Sequence, residues 1–193
     1  APRSTLPAMT AGHPYRPESR PRPNGFSLAE LLVTLAIVAV LAALSTPGFQ
    51  RSRADVASLT SAHSLLRALH LARSQALLRS EPAVVCLSAD LVSCGSRSAT
   101  DSIRGWIVFL NMRAERTVQR DPQEPLLGVF ELPERLRLIG SRNAVTYWPV
   151  SRAGTTATFT VCDADGLART RAVIVSQTGR PRLRESAAGA APC

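Results

Sequence analysis

Apolar and polar residues divide this sequence into three parts. Residues 1–25 are polar and rich in proline and arginine, a composition that predicts no folded unit. Residues 26–44 are almost continuously apolar, and a helix of that length, rising about 1.5 Å per residue, would extend roughly 28 Å. Because the hydrocarbon core of a membrane is about that thick, we predict a transmembrane helix at 26–46, preceded by a leader at 1–25.

The next segment has the periodicity of an amphipathic helix. Between Gln50 and Arg79, apolar residues recur at spacings of three and four, which is the repeat of one helix face. The predicted apolar stripe consists of Leu59, Ala62, Leu66, Leu69, Ala72 and Ala76. Pro47 and Gly48 lie between this stripe and the transmembrane stretch, so we expect a kink or flexible point there.

After Pro82 the pattern changes to short apolar runs separated by Gly, Pro, Asn and Asp, which predicts β-strands. The runs are Ala83–Leu87, Trp106–Leu110, Leu127–Leu132, Leu136–Ile139, Val145–Trp148, Thr156–Cys162 and Arg171–Ser176. The third and fourth runs are also compatible with one strand bent around Pro133. A long helix followed by strands predicts an α+β domain at 47–193, with the helix stripe packed on an antiparallel sheet. We expect the aromatic residues of the runs in its core: Trp106, Tyr147, Trp148 and Phe159.

Arginine supplies the positive charge of this chain. All 23 basic residues are Arg, and the 14 acidic residues leave a net charge of +9. The absence of lysine excludes a Walker-type phosphate loop and Schiff-base chemistry. The positive charge suits a polyanionic partner or an anionic membrane surface, although an arginine-rich genome would give the same composition.

Candidate catalytic residues are few. His63 and His70 are seven residues apart on one face of the predicted helix, with Ser74 one turn further on. No carboxylate is placed to orient them, and a helix surface offers no oxyanion hole, so packing or surface roles are more typical. The four cysteines lack the close pairs of a zinc site. We therefore expect no enzymatic activity, no metal site and no cofactor.

The start of the apolar stretch carries a recognisable motif. Residues 25–33, GFSLAELLV, resemble the prepilin signal of type IV pilins and type II secretion pseudopilins. The resemblance implies that a prepilin peptidase cleaves after Gly25, that the new N-terminal Phe26 is methylated, and that Glu30 serves in assembly. It also implies the lollipop layout of a pilin, in which Pro47 occupies the place of a helix-bending proline.

Glu30 is unusual on physical grounds as well. It is the one charged residue of the apolar stretch, and a carboxylate inside a membrane is costly unless it has a partner. The free amine of Phe26 on a neighbouring subunit would neutralise it and set the register of packed helices. The alternative is a plain single-pass anchor. Met9 is an alternative start, which would leave a leader of residues 9–25.

The rest of the chain resembles one subgroup of this family, the minor pilins FimT and FimU and the pseudopilin GspH. The matching positions are Ala72–Ala76, Arg79, Val84–Ser88, Cys94, Gly105–Phe109, Thr158–Cys162, Ile174–Ser176 and Thr178–Arg180. Residues 111–125 depart from the subgroup, because they are longer and of mixed charge where an acidic loop often follows the tryptophan strand. The role of that loop stays open.

The resemblance also implies a location. It describes a single-pass inner-membrane protein whose C-terminal domain lies in the periplasm and is extracted into a pilus or pseudopilus. Because the periplasm is oxidising, we expect two disulfides, and the natural pairing is Cys86–Cys94 with Cys162–Cys193. That pairing is one of three possible connectivities, and a four-cysteine zinc site is the alternative without the usual spacing.

Arginine is concentrated near the C-terminus. Arg180, Arg182 and Arg184 occupy alternate positions, so in an extended strand all three would project to one side. Arg169 and Arg171 repeat this spacing in the preceding segment. Guanidinium groups suit phosphate oxygens, and from residue 51 onward 19 arginines outnumber 12 acidic residues.

The same segment resembles the G-R-x-R motif with which FimT binds DNA during natural transformation, here Gly179, Arg180 and Arg182. Without aromatic residues between 169 and 184, binding would be to the DNA backbone and independent of sequence. The alternative is a solvated edge strand protected by its charges and proline, with Arg180 paired to Glu185 or Glu81.

Two functions are therefore predicted. The first is a minor pilin of a type IV pilus that assembles with other pilins through its N-terminal helix and binds DNA for natural transformation. The second is a purely structural role, as a minor pseudopilin of a type II secretion system or as a priming pilin, without DNA binding. Neither requires a small-molecule substrate.

Overall fold

The computed structural model describes residues 25–95, 103–113, 118–149 and 155–185, with the backbone but not the side chains of 45–47. The predicted leader before Gly25 and the C-terminal Cys193 lie outside these ranges. The chain divides into two compact units, one ending at Ala43 and one beginning at Leu44.

A single helix, α1, runs from Leu28 to Arg79 and continues through Pro47 and Gly48, so the proline does not end it. Ser27 caps its start, because the Ser27 Oγ accepts a hydrogen bond of 3.2 Å from the backbone N–H of Glu30. The N-terminal part of α1 is long and apolar enough to cross a membrane, and none of it is buried within the chain.

The described residues after α1 form eight antiparallel strands. They are β1 (Ala83–Ser88), β2 (Gly105–Leu110), β3 (Leu126–Glu131), β4 (Leu136–Gly140), β5 (Ala144–Tyr147), β6 (Ala157–Asp163), β7 (Arg171–Val175) and β8 (Pro181–Glu185). One four-stranded sheet has the order β3-β2-β1-β5, and the other has the order β4-β6-β7-β8. The predicted α+β class and all seven predicted runs are confirmed.

The C-terminal half of α1 packs against both sheets through small and medium side chains. The buried helix positions are Ala54, Ser58, Ser61, Ala62, Leu65, Ala68, Leu69, Ala72 and Ala76. Leu59 and Leu66, which the predicted stripe included, are only half-buried at its flank. The stripe is therefore rotated slightly from its predicted position, because alanines and serines let the helix approach the strands closely.

Three expectations about the strands are corrected. The helix packs on two sheets rather than one, because strand periodicity does not reveal which strands pair. The third and fourth runs do not form one strand bent around Pro133, since they are β3 and β4 and belong to different sheets. Trp106, Tyr147 and Phe159 are buried, but Trp148 lies just beyond β5 and is 40% exposed.

The outer face of the first sheet is covered by its own loops. A disulfide joins Cys86 of β1 to Cys94, with 5.6 Å between the Cα atoms, and Cys94 packs on Ile107 and Phe109. Val118, in the loop that departs from the subgroup, packs on the same cluster. Cys162 is not a free thiol, but its predicted pairing with Cys193 stays a prediction because Cys193 lies outside the described residues.

Candidate functional site

The prepilin-like motif is accessible at the start of α1. No atom lies within 4 Å of the position that a Cβ atom would take at Gly25, so the fold of this chain does not require glycine there. Phe26 is 77% exposed. Glu30 lies in the first helical turn, where a negative charge is favoured by the helix dipole, and no described cation pairs with it. The motif is therefore free for contacts with other molecules.

The second candidate site is the β7–β8 hairpin. Its turn is closed by the backbone N–H of Gly179, which donates to the Ser176 carbonyl at 2.8 Å, and Gly179 has a φ of +70° that suits glycine. The Ser176 Oγ accepts a hydrogen bond of 3.3 Å from the Arg180 N–H. The glycine of the G-R-x-R motif is thus needed for the shape of the turn.

Arg180, Arg182 and Arg184, which we call the basic strip, are exposed along β8 and its turn. The intervening Pro181 is buried and Leu183 is half-buried against the core, so the strand alternates as predicted. None of the three guanidinium groups forms an ion pair with an acidic residue of the described chain. The positive charge of the basic strip is therefore available.

The cross-strand neighbours of Arg182 and Arg184 are uncharged. Arg182 is aligned with Ile174 of β7 and, beyond it, Thr158 of β6. Arg184 is aligned with a second row, formed by Ala172, Thr160 and Ile139. Because both rows lie on the outer face of the second sheet, that face is positive at the β8 edge.

Arg171 does not belong to this surface, which corrects the prediction. Its side chain is 2% exposed and faces α1, where it lies 3.1 Å from the Asp55 carboxylate and 3.6 Å from that of Glu185. The hydrogen bond from Arg171 holds the pKa of Asp55 below its usual range. Arg171 is a buried structural residue, since period-2 spacing places it on the inner face.

Arg169 is exposed but lies 3.9 Å from Glu185. Its backbone N–H donates to Asp55 and its carbonyl accepts from Ser58, so the segment before β7 is tied to α1. Glu185 thus faces Arg169 and Arg171 rather than Arg180, and Glu81 does not pair with Arg180 either. The predicted alternative pairing of Arg180 does not occur.

Sequence reasoning missed the role of Asp55. A signal was present, because Asp55 is the one acidic residue between Gln50 and Arg79 and lies one turn before Leu59 at the edge of the stripe. His63 and His70, by contrast, are exposed on the outer side of α1.

Comparisons with known proteins agree with this architecture. The family model described as type II transport protein GspH matches residues 61–179, and the prokaryotic N-terminal methylation motif matches residues 20–46. No curated protein matches the chain significantly.

Two solved structures are similar to this chain. The minor pseudopilin EpsH from the type 2 secretion system of Vibrio cholerae is 17% identical, with a TM-score of 0.45, covering 68% of this chain and 98% of its own. The type IV minor pilin FimU of Pseudomonas aeruginosa is 17% identical, with a TM-score of 0.42, covering 69% of this chain and 96% of its own. Neither says what this chain binds.

The family model covers more than half of the chain, and the methylation motif precedes it in the order that a pilin-like protein requires. This chain belongs to the GspH family of minor pilins and pseudopilins.

Proposed function

We propose that this chain is a minor pilin of a type IV pilus that assembles through its N-terminal helix and binds DNA through the basic strip. The observation that carries the proposal is that Arg180, Arg182 and Arg184 are exposed and form no ion pair with an acidic residue of the described chain. These positions match the G-R-x-R motif of FimT, which motivates DNA as the polyanion.

The spacing of the strip suits a phosphate backbone. Two residues of an extended strand rise about 6.7 Å, which separates the Cα atoms of Arg182 and Arg184 enough for their side chains to contact two different phosphates of one DNA strand. Since the strip contains no aromatic residue, binding should not depend on base sequence.

The assembly half of the proposal rests on the N-terminal motif. A prepilin peptidase would cleave after Gly25, the amine of Phe26 would be methylated, and Glu30 would pair with the amine of a neighbouring subunit in the membrane. The apolar stretch fits a membrane-anchored pilin, and we place the globular domain in the periplasm before its extraction into the filament.

One observation favours a second function. The family model that matches the chain is described as a type II transport protein, which agrees with a minor pseudopilin that has no nucleic-acid role. The two functions share the N-terminal motif and differ only in whether the basic strip contacts DNA.

A binding experiment separates them. We expect the full chain in a neutral detergent to bind a short fluorescent DNA duplex at low salt, with an affinity that falls as salt is added. R180Q/R182Q should lower the slope of log affinity against log salt by about two, because two phosphate contacts are lost. The measurement is fluorescence anisotropy across a salt series.

R104Q/R113Q serves as the control, since it removes the same charge from the first sheet, where both arginines flank β2. Its slope should equal that of the wild type. A wild-type chain that does not bind, or an R180Q/R182Q variant with an unchanged slope, would contradict the DNA site and favour the pseudopilin.

A further inference from the structure

A residue of α1 reaches the turn of the β7–β8 hairpin. Arg73 Nη1 donates a hydrogen bond of 3.4 Å to the carbonyl oxygen of Gly179, the residue directly before Arg180. Arg73 and Arg180 therefore flank the same peptide unit, although they are more than one hundred positions apart in the sequence. At this point the helix contacts the turn that directly precedes the basic strip.

The charge of Arg73 is not balanced by a carboxylate. Its hydrogen-bond partner is the neutral carbonyl of Gly179, and no acidic residue of the described chain forms an ion pair with it. This distinguishes it from Arg171, whose charge is matched by Asp55 and Glu185 at the other end of the hairpin. The two arginines that link the hairpin to α1 thus differ: carboxylates neutralise the charge of Arg171, whereas the charge of Arg73 is not neutralised.

The environment of Arg73 shows that its charge acts locally. Burial raises the pKa of Tyr147 to about 12, and the positive charge of Arg73 opposes part of that rise. Arg73 is itself half-buried, so its guanidinium is held in place and partly shielded from water. A guanidinium with one N–H on a carbonyl still has four donors for an anion.

We propose that Arg73 is a further DNA-binding residue, which extends the basic strip from β8 onto α1 and takes a phosphate at the hairpin turn. The proposal rests on the DNA-binding function proposed above. An anion bound at the turn would give the Arg73 guanidinium the ionic partner that it lacks among the described residues. The phosphodiester groups of DNA supply such anions, because they are repeated and bind guanidinium groups with two hydrogen bonds.

The test compares the salt dependence of single variants of the full chain in neutral detergent, with the same DNA duplex. R73Q should lower the slope of log affinity against log salt by about one and weaken binding about fivefold at low salt. R73K should keep the wild-type slope because it keeps the charge. If Arg73 only held the turn in place, R73Q would bind less tightly with an unchanged slope.

R79Q is the matched control, because it removes the same charge from the same helix, where Arg79 hydrogen-bonds to Gln75. An R73Q slope equal to that of the wild type, or an equal loss in R79Q, would overturn the proposal. Circular dichroism should show the same melting transition for all variants. If R180Q/R182Q lowers the slope but R73Q does not, the DNA-binding function stands and the role of Arg73 falls.

Discussion

The guanidinium of Arg171 is 2% exposed and lies between the carboxylates of Asp55 and Glu185. A buried charge is tolerated only when partners replace its water, so this cluster is a requirement of the fold. The ion pairs of this cluster link the start of β7 and the end of β8 to α1. The exposed arginines of the same hairpin have no such partners and are available for binding.

We expect D55N to lower the free energy of unfolding by about 2 kcal/mol, because Arg171 stays buried after losing its closest carboxylate, while the partial exposure of Asp55 reduces the full cost of a broken buried ion pair. The measurement is urea unfolding at pH 7, followed by the fluorescence of the buried Trp106. D121N is the control, since Asp121 pairs with the exposed Arg113 and should cost less than about 1 kcal/mol. Equal costs in both variants would contradict a structural role for the buried cluster.

The same pair gives a pH dependence. The pKa of Asp55 is lowered in the folded protein, mainly by the hydrogen bond from Arg171, so its stabilisation is complete above the unfolded value of about 3.9. It is lost as pH falls through the lower folded pKa. The difference between the wild type and D55N should therefore be constant from pH 7 to about 4.5 and should shrink below that.

Single residues were predicted unevenly from the sequence. Period-2 spacing correctly predicted that Arg182 and Arg184 lie on one exposed side of a strand, since alternation follows from strand geometry alone. It could not identify Arg171 as buried, because that depends on the approach of Asp55 from a helix 116 positions away. Contacts of that kind depend on the folded arrangement rather than on local spacing.

At the scale of elements, the fit between β2 and β3 is very close at Gly105. A side chain at that position would meet the backbone carbonyl of Phe130 and the side chain of Leu91. Phe130 in turn stacks on Trp106, with 6.1 Å between the ring centroids. Gly105 therefore allows β3 to approach β2 at the start of the strand pair.

We expect G105A to lower the free energy of unfolding by about 2 kcal/mol, because the backbone of β3 must move to admit the methyl group. Thermal unfolding followed by circular dichroism measures the effect. G48A is the comparison, since Gly48 lies in α1 with no atom within 4 Å of the added group and should be neutral or stabilising. A G105A variant as stable as G48A would show that the strands are less closely fitted than described.

The existence of the elements was more predictable than their arrangement. Hydrophobic runs gave the helix and the strands, because periodicity is a local property of the sequence. The division into two sheets was not predictable, because β3 and β4 are joined by only four residues and yet belong to different sheets. Which strands pair is decided by packing against α1, which no local pattern records.

At the scale of the whole molecule, Glu30 is the residue on which assembly should depend. It is exposed at the start of α1, and its charge has no partner in the described chain. E30V should be processed normally, since Gly25 and Phe26 are intact, but should enter filaments poorly because the pairing with a neighbouring amine is lost.

An immunoblot of sheared filaments measures how much of the protein they contain. An immunoblot of whole cells measures the size of the protein, which shows whether the leader was removed. G25V provides the comparison: it should keep its leader, because the fold tolerates a larger residue there while the peptidase should not. Normal incorporation of E30V into filaments would contradict the assembly role of Glu30.

The open edge of the second sheet limits how copies of this molecule can associate. β8 begins at Pro181, which has no N–H to donate, and carries bulky cations at alternate positions. A strand of another copy approaching β8 would meet repulsion and a missing backbone hydrogen bond, which disfavours the merging of two sheets at this edge. In the proposed filament, β8 would therefore stay unpaired with neighbouring copies and accessible to the proposed DNA partner.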